Sequence, residues 1–163
     1  MLRTDQMENF AICCTANLPI EALNRFLAQV QQQEHAEEAG PILTVVDNLE
    51  TRLWGPTKEL RGDDQVLQSP FVDLEFTRIQ QQLRQTVQLT KSPLSTAWFL
   101  VLDETSEQTS TAVIVNVGDE GVRVVRVAYP VASRYISAAS VSHPPIDELI
   151  EIADEEGNGV LQD

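Results

Sequence analysis

Apolar positions along this chain follow two rhythms, short unbroken runs and longer stretches repeating every three or four residues. Phe10-Ala-Ile-Cys-Cys-Thr15 is an unbroken run between turn residues and predicts a buried strand. Pro19 then sets the first turn of a helix. Ile20, Leu23, Phe26, Leu27 and Val30 fall on one face of it, and Gly40-Pro41 ends its polar continuation. Ile42 to Val46 predicts a second strand that stops at Asp47-Asn48. Strand, helix and strand in this order make a βαβ unit with two parallel strands and a right-handed crossover.

Further along, Gly55-Pro56 predicts a short helical turn through Leu60, and residues 65–71 read as a surface loop. Phe76, Ile79, Leu83 and Val87 mark an amphipathic helix over 73–90, which Ser92-Pro93 breaks. Ala97 to Leu102 is the most apolar strand and ends at Asp103-Glu104. Two more runs, 112–117 and 122–127, flank Gly118-Asp-Glu-Gly121 and predict a β-hairpin. Pro144-Pro145 opens a last helix with Ile146, Leu149, Ile150 and Ala153 inward. The expected fold is α/β: a single acidic domain over 1–163, layered on a mixed sheet. A βαβ half is joined to a C-terminal hairpin and a terminal helix.

Composition sharpens this picture. Aromatic residues are only 6% of the 163, so the core must be built from Val, Ile, Leu and Ala, as in strands packed under helices. The formal net charge is −14, and the acids are spread over the whole chain. Such a surface repels phosphate backbones and anionic bilayers, so neither nucleic acid nor membrane is an expected partner. A charged partner would be basic. The densest acidic stretch, Asp147 to Asp163, carries seven acids and no base.

No apolar run approaches the roughly 20 residues of a membrane span, and the N-terminus has no apolar leader core. Cys13 and Cys14 are adjacent, too close for an unstrained disulfide. A reducing, cytoplasmic setting is expected. Oligomeric state has no sequence signature here.

Nucleophile elbows and phosphate-binding glycine loops are absent, and His35 with Glu38, an i, i+3 pair, reads as a solvated helix end, so no cofactor and no metal is expected. The carboxylates carry more. Asp47 and Asp103 each follow an apolar strand, with Glu104 beside the latter. If those strands are parallel, both acids stand at the sheet edge where open α/β folds bind ligands, and they could act as an acid/base pair. An Asp after a strand also caps the following turn, and both readings stand. Arg126 and Arg134 offer charge for an anionic group, with ion pairs to the many acids as the alternative. Arg123 and Arg126, three apart, should face opposite sides of their strand. Trp54, in a loop beside Gly55-Pro56, is a contact or pocket candidate.

Several of these blocks also match a known pattern. Leu2-Arg3-Thr4-Asp5 is similar to an R-T-D-F opening, with Gln6 for the aromatic residue. Val45-Val46-Asp47-Asn48 is similar to V-D-D-P, and Leu102-Asp103-Glu104-Thr105 to A-D-E-T. Ile114 to Val117 is similar to V-V-D-L with Asn116 for Asp. Ile136 to Ser140 is similar to L-S-L-A-N with Ser140 for Asn. Together they resemble an uncharacterised family of small acidic domains of unknown function from bacteria and fungi. The resemblance implies a single α/β domain and adds Asp5 to the ligand-binding candidates. It implies no activity.

Two function classes follow. One is a small-molecule-binding protein, or a cofactor-free enzyme or accessory factor of (specialised-)metabolite biosynthesis, with Asp47, Asp103 and Glu104 lining its pocket. In that reading Asp103→Asn removes binding and leaves stability nearly unchanged. The other is a non-catalytic protein that presents its acidic surface and the 147–163 segment to a basic partner.

Overall fold

A computed structural model describes residues 9–53, 55–62, 65–156 and 158–162. Six strands form one mixed sheet: β1 (Asn9–Cys14), β2 (Leu43–Val45), β3 (Leu94–Leu102), β4 (Thr111–Gly118), β5 (Gly121–Ala128) and β6 (Val160–Leu161), in the order β2-β1-β3-β4-β5-β6. β1 runs parallel to both β2 and β3, as the βαβ pattern predicts. β3, β4 and β5 are antiparallel neighbours, and β6 closes the edge parallel to β5. The observed class is therefore α/β with a mixed sheet.

The two faces of the sheet are covered unequally. On the first face, Ile12, Leu100 and Ile114 pack against α1 (Ile20–Ala36), α4 (Ala132–Ser140) and α5 (Ile146–Glu156) through Leu23, Phe26, Ile136 and Leu149. On the second face, Ala11, Cys13, Phe99, Val101 and Val115 lie under Ile79 and Leu83 of α2 (Phe76–Thr90), with Phe71 and Val46. Burial on both sides explains why β1 and β3 read as unbroken apolar runs rather than alternating ones. It also encloses Cys13 and Cys14: both are free and buried, and burial pushes the Cys14 thiol up to about 12.

Three expectations need correction. The segment after Gly55-Pro56 is not helical but runs along the outer edge of β2. There Thr57 donates its N–H to Leu43 O (2.9 Å), its Oγ1 accepts from Val45 N (2.9 Å), and Thr44 Oγ1 donates to Gly55 O (3.0 Å). Those bonds satisfy an otherwise open sheet edge, which a helical turn would leave unpaired.

Residues 65–71 form a loop with Gln65, Val66 and Gln68 exposed, but the loop does not lie wholly at the surface. Leu67 and Phe71 are buried, and Leu67 N–H bonds Leu18 O at 3.0 Å. The amphipathic helix starts at Phe76, not 73, because Asp73 holds a left-handed conformation (φ 62°) that ends a preceding turn. Within the C-terminal acidic stretch Leu161 is buried, and β6 pairs Val160 with Arg126 and Leu161 with Val127.

Two helices lie where no element is expected. α3 (Ser106–Thr109) is one turn after β3, and α4 packs Ala132, Ile136 and Ala139 into the first-face core. The hairpin is tighter than the four-residue loop predicted. Gly118 and Gly121 pair with each other and leave Asp119-Glu120 as the turn, and Gly121 adopts φ 108°, open to glycine at no steric cost.

Candidate functional site

The sheet order sets where a site can form. From β1 the chain crosses through α1 to β2 on one side, and from β2 it returns through α2 to β3 on the other. Connections therefore diverge at the carboxyl ends of β1 and β3, which leaves a crevice between them, the position where open α/β sheets take ligands. A cleft of about 580 Å³ occupies it. Its walls come from Thr15 to Asn17 after β1, Asp73 to Phe76 at the start of α2, and Asp103-Glu104 after β3.

Local bonds hold these walls in place. Asp73 N–H donates to Thr15 O at 3.1 Å and Ser69 Oγ donates to Cys14 O at 2.5 Å, so the loop before α2 is pinned to the end of β1. On the far side Arg25 of α1 reaches Glu107 of α3 at 3.3 Å.

Asp103 is the most heavily bonded side chain at the cleft. Arg126 grips it through both nitrogens, Nη2 to Oδ2 at 2.5 Å and Nη1 to Oδ1 at 3.4 Å. Oδ1 also accepts from Thr105 N and Oγ1 and from Ser106 N and Oγ, at 2.9–3.2 Å. Burial alone would raise its pKa; Arg126, Thr105 and Ser106 override that and hold the carboxyl below its ordinary value. A carboxylate so fixed in its charged form, with its lone pairs spent on the protein, is a poor proton shuttle. Asp103 anchors the β3–α3 turn to β5 and shapes the cleft.

The remaining sequence candidates separate. Glu104 lines the cleft and is exposed. Asp47 stands exposed at the same sheet edge, beyond β2. β1 lies between it and Asp103, so two strand spacings of about 4.8 Å separate the two strand ends. Arg126 is half-buried, with Nη1 also donating to Thr111 Oγ1 at 2.9 Å, and its charge is matched by Asp103. Arg123, on the opposite side of β5 as its spacing predicts, pairs with Asp147 at 3.1 Å.

Arg134 does not join Arg126: it sits on α4 on the first face, pairs with Glu37 at 3.1 Å and lies 4.9 Å from the Tyr135 ring centre. Asp5 and Trp54 lie outside the described residues.

No family model, curated protein or solved structure matches the chain. Among the described residues no three His, Cys, Asp or Glu side chains are grouped to hold a metal ion, and no helix is long and apolar enough to cross a membrane.

Sequence reading missed Thr15, Asn17, Asp73, Glu75 and Phe76. Thr15 to Asn17 had a usable signal, since they follow β1 as Asp103 follows β3. Asp73 to Phe76 had none, because only the crossover brings the start of α2 over the ends of two strands. Four carboxylates, those of Asp73, Glu75, Asp103 and Glu104, face this cleft, and Arg126 matches one of them. The cleft is therefore electronegative.

Proposed function

We propose that the protein binds a small molecule in the cleft between the carboxyl ends of β1 and β3. The observation that carries this reading is the cleft itself: about 580 Å³ at the point where the crossovers diverge. That volume falls within the roughly 300–1,000 Å³ typical of ligand sites. Its acids favour a neutral or cationic ligand over an anionic one. Asp103 supports the site as an anchor; Glu104, Asp73, Glu75, Asn17 and Thr15 are side chains offered to the ligand.

A thermal-shift screen of the purified protein against a broad metabolite set tests the reading, because a ligand of the folded state raises Tm. The expected result is a dose-dependent rise that is lost in Glu104→Gln combined with Asn17→Ala. A rise that survives both substitutions contradicts the cleft as the site.

A second reading has its own observation. α5 buries Leu149 and Ala153 and exposes Glu148, Glu151, Asp154 and Glu155. That face suits a basic partner protein, and such a complex weakens as salt rises. Because β6 belongs to the sheet, truncation would confound the test. Glu148→Lys with Glu151→Lys is the cleaner variant, expected to abolish the complex and spare the fold.

A further inference from the structure

A second cavity adjoins the cleft. It is a groove of about 330 Å³ with Val113, Val124 and Ile150 among its walls, and it shares Phe76 and Asp103 with the cleft. The groove exists because α2 shields the second face of the sheet only as far as β4. Val113 and Val115 on β4 are buried, whereas Val122 and Val124, on the same face of β5, are 36% and 40% exposed. Gln80 marks the limit of that cover, donating to both Thr96 O (3.1 Å) and Val117 O (3.0 Å). Apolar surface left open beside a ligand-sized cavity gains free energy when an apolar group fills it.

The two cavities have opposite character. The cleft is lined by Asp73, Glu75 and Glu104, while the groove is walled mainly by Val113, Val124, Val125, Ile150 and Ala153, with the Asp103–Arg126 pair at one side and Asp154 as its one further acid. The one cation in the groove, Arg126, is already committed to Asp103 and so leaves no net positive charge for an anion. With a chain charge of −14, an anionic ligand is disfavoured at both ends.

We propose that cleft and groove form one elongated site for an amphiphilic amine. Its cationic end lies among Asp73, Glu75 and Glu104, and its apolar body lies over Val113 and Val124. The groove is small for a partner helix and fits a single unbranched or ring-bearing chain. This inference rests on the cleft being a small-molecule site and adds the class of ligand.

The test is a nuclear magnetic resonance titration of the full ¹⁵N-labelled chain with butylamine, hexylamine and octylamine, and with octanol and octanoate as controls. The expected result is amide shifts at Phe76, Glu104, Val113 and Val124. Affinity should rise by roughly fourfold for each methylene that enters the groove. Octanoate should not bind, and octylamine should weaken in 0.5 M salt.

Val124→Ser should flatten the chain-length dependence of the amine series. Glu75→Gln with Glu104→Gln should weaken the amines and spare octanol. Octanoate binding as tightly as octylamine, or affinity flat across the wild-type series, overturns the proposal without relying on any variant. A hit from the metabolite screen that shifts Thr15 and Glu104 but neither Val113 nor Val124 overturns the two-part ligand and leaves the cleft reading intact.

Discussion

Two carboxylates set opposite pH responses at the residue scale. Asp103 is held below its ordinary pKa, so its ion pair contributes stability at neutral pH that is lost as the solution is acidified below about 3.8. Asp103→Asn keeps the side-chain shape but places an amide against Arg126 and strips a half-buried guanidinium of its counter-charge. It should cost about 1–3 kcal/mol at pH 7, and the gap to wild type should narrow below pH 4. Urea midpoints across pH 3–7 read both. This shifts the expected effect of the substitution from binding to stability.

Glu34 behaves in the reverse sense. It is buried between α1 and α4, and burial raises its pKa despite a 2.8 Å bond from Ser133 Oγ and another from the Ile42 backbone. Its protonated form favours folding, so wild-type stability falls as pH rises from about 4.5 through the raised value. Glu34→Gln keeps an acceptor and removes the charge. Its Tm should gain on wild type between pH 4 and pH 7, and a constant difference across that range would contradict a perturbed Glu34. Nothing in the sequence marks this residue: it sits in a polar helix tail, and only the position of α4 buries it.

Among the elements, those with strong periodicity were legible. β1, α1, β2, α2, β3 and the hairpin stand within a few residues of where the apolar pattern puts them, since each pattern reports burial that the fold supplies. The elements that were missed depend on distant partners. α4 carries Ala132, Ile136 and Ala139 as its inward face, a weak signal of small residues interrupted by Ser133 and Ser137. β6 has two residues and exists only because β5 offers an open edge. Its role is measurable. Leu161→Ala should destabilise by about 2–4 kcal/mol, as for other buried leucines, whereas Glu155→Gln on the exposed face of α5 should stay within about 0.5 kcal/mol. Equal, small effects would mean that β6 is not part of the folded core.

At the scale of the whole molecule, topology makes the site. Parallel β1 and β3 with crossovers to opposite sides open a crevice, the pinned loop before α2 walls it, and the Asp103–Arg126 pair ties its far side to the antiparallel half of the sheet. The sequence pointed to the edge where this crevice opens through Asp103 and Glu104, because acids directly after apolar runs mark strand ends. It also pointed to Asp47, which reaches the same edge two strands away, since strand order is not written in local pattern. The central claim is that this crevice binds a small molecule. The most direct measurement is the map of amide shifts produced by the first ligand that raises Tm. Shifts centred on Thr15, Asn17, Phe76 and Glu104 are the predicted result. Shifts confined to the outer face of α5, or a well-folded protein whose Tm no metabolite moves, would contradict it.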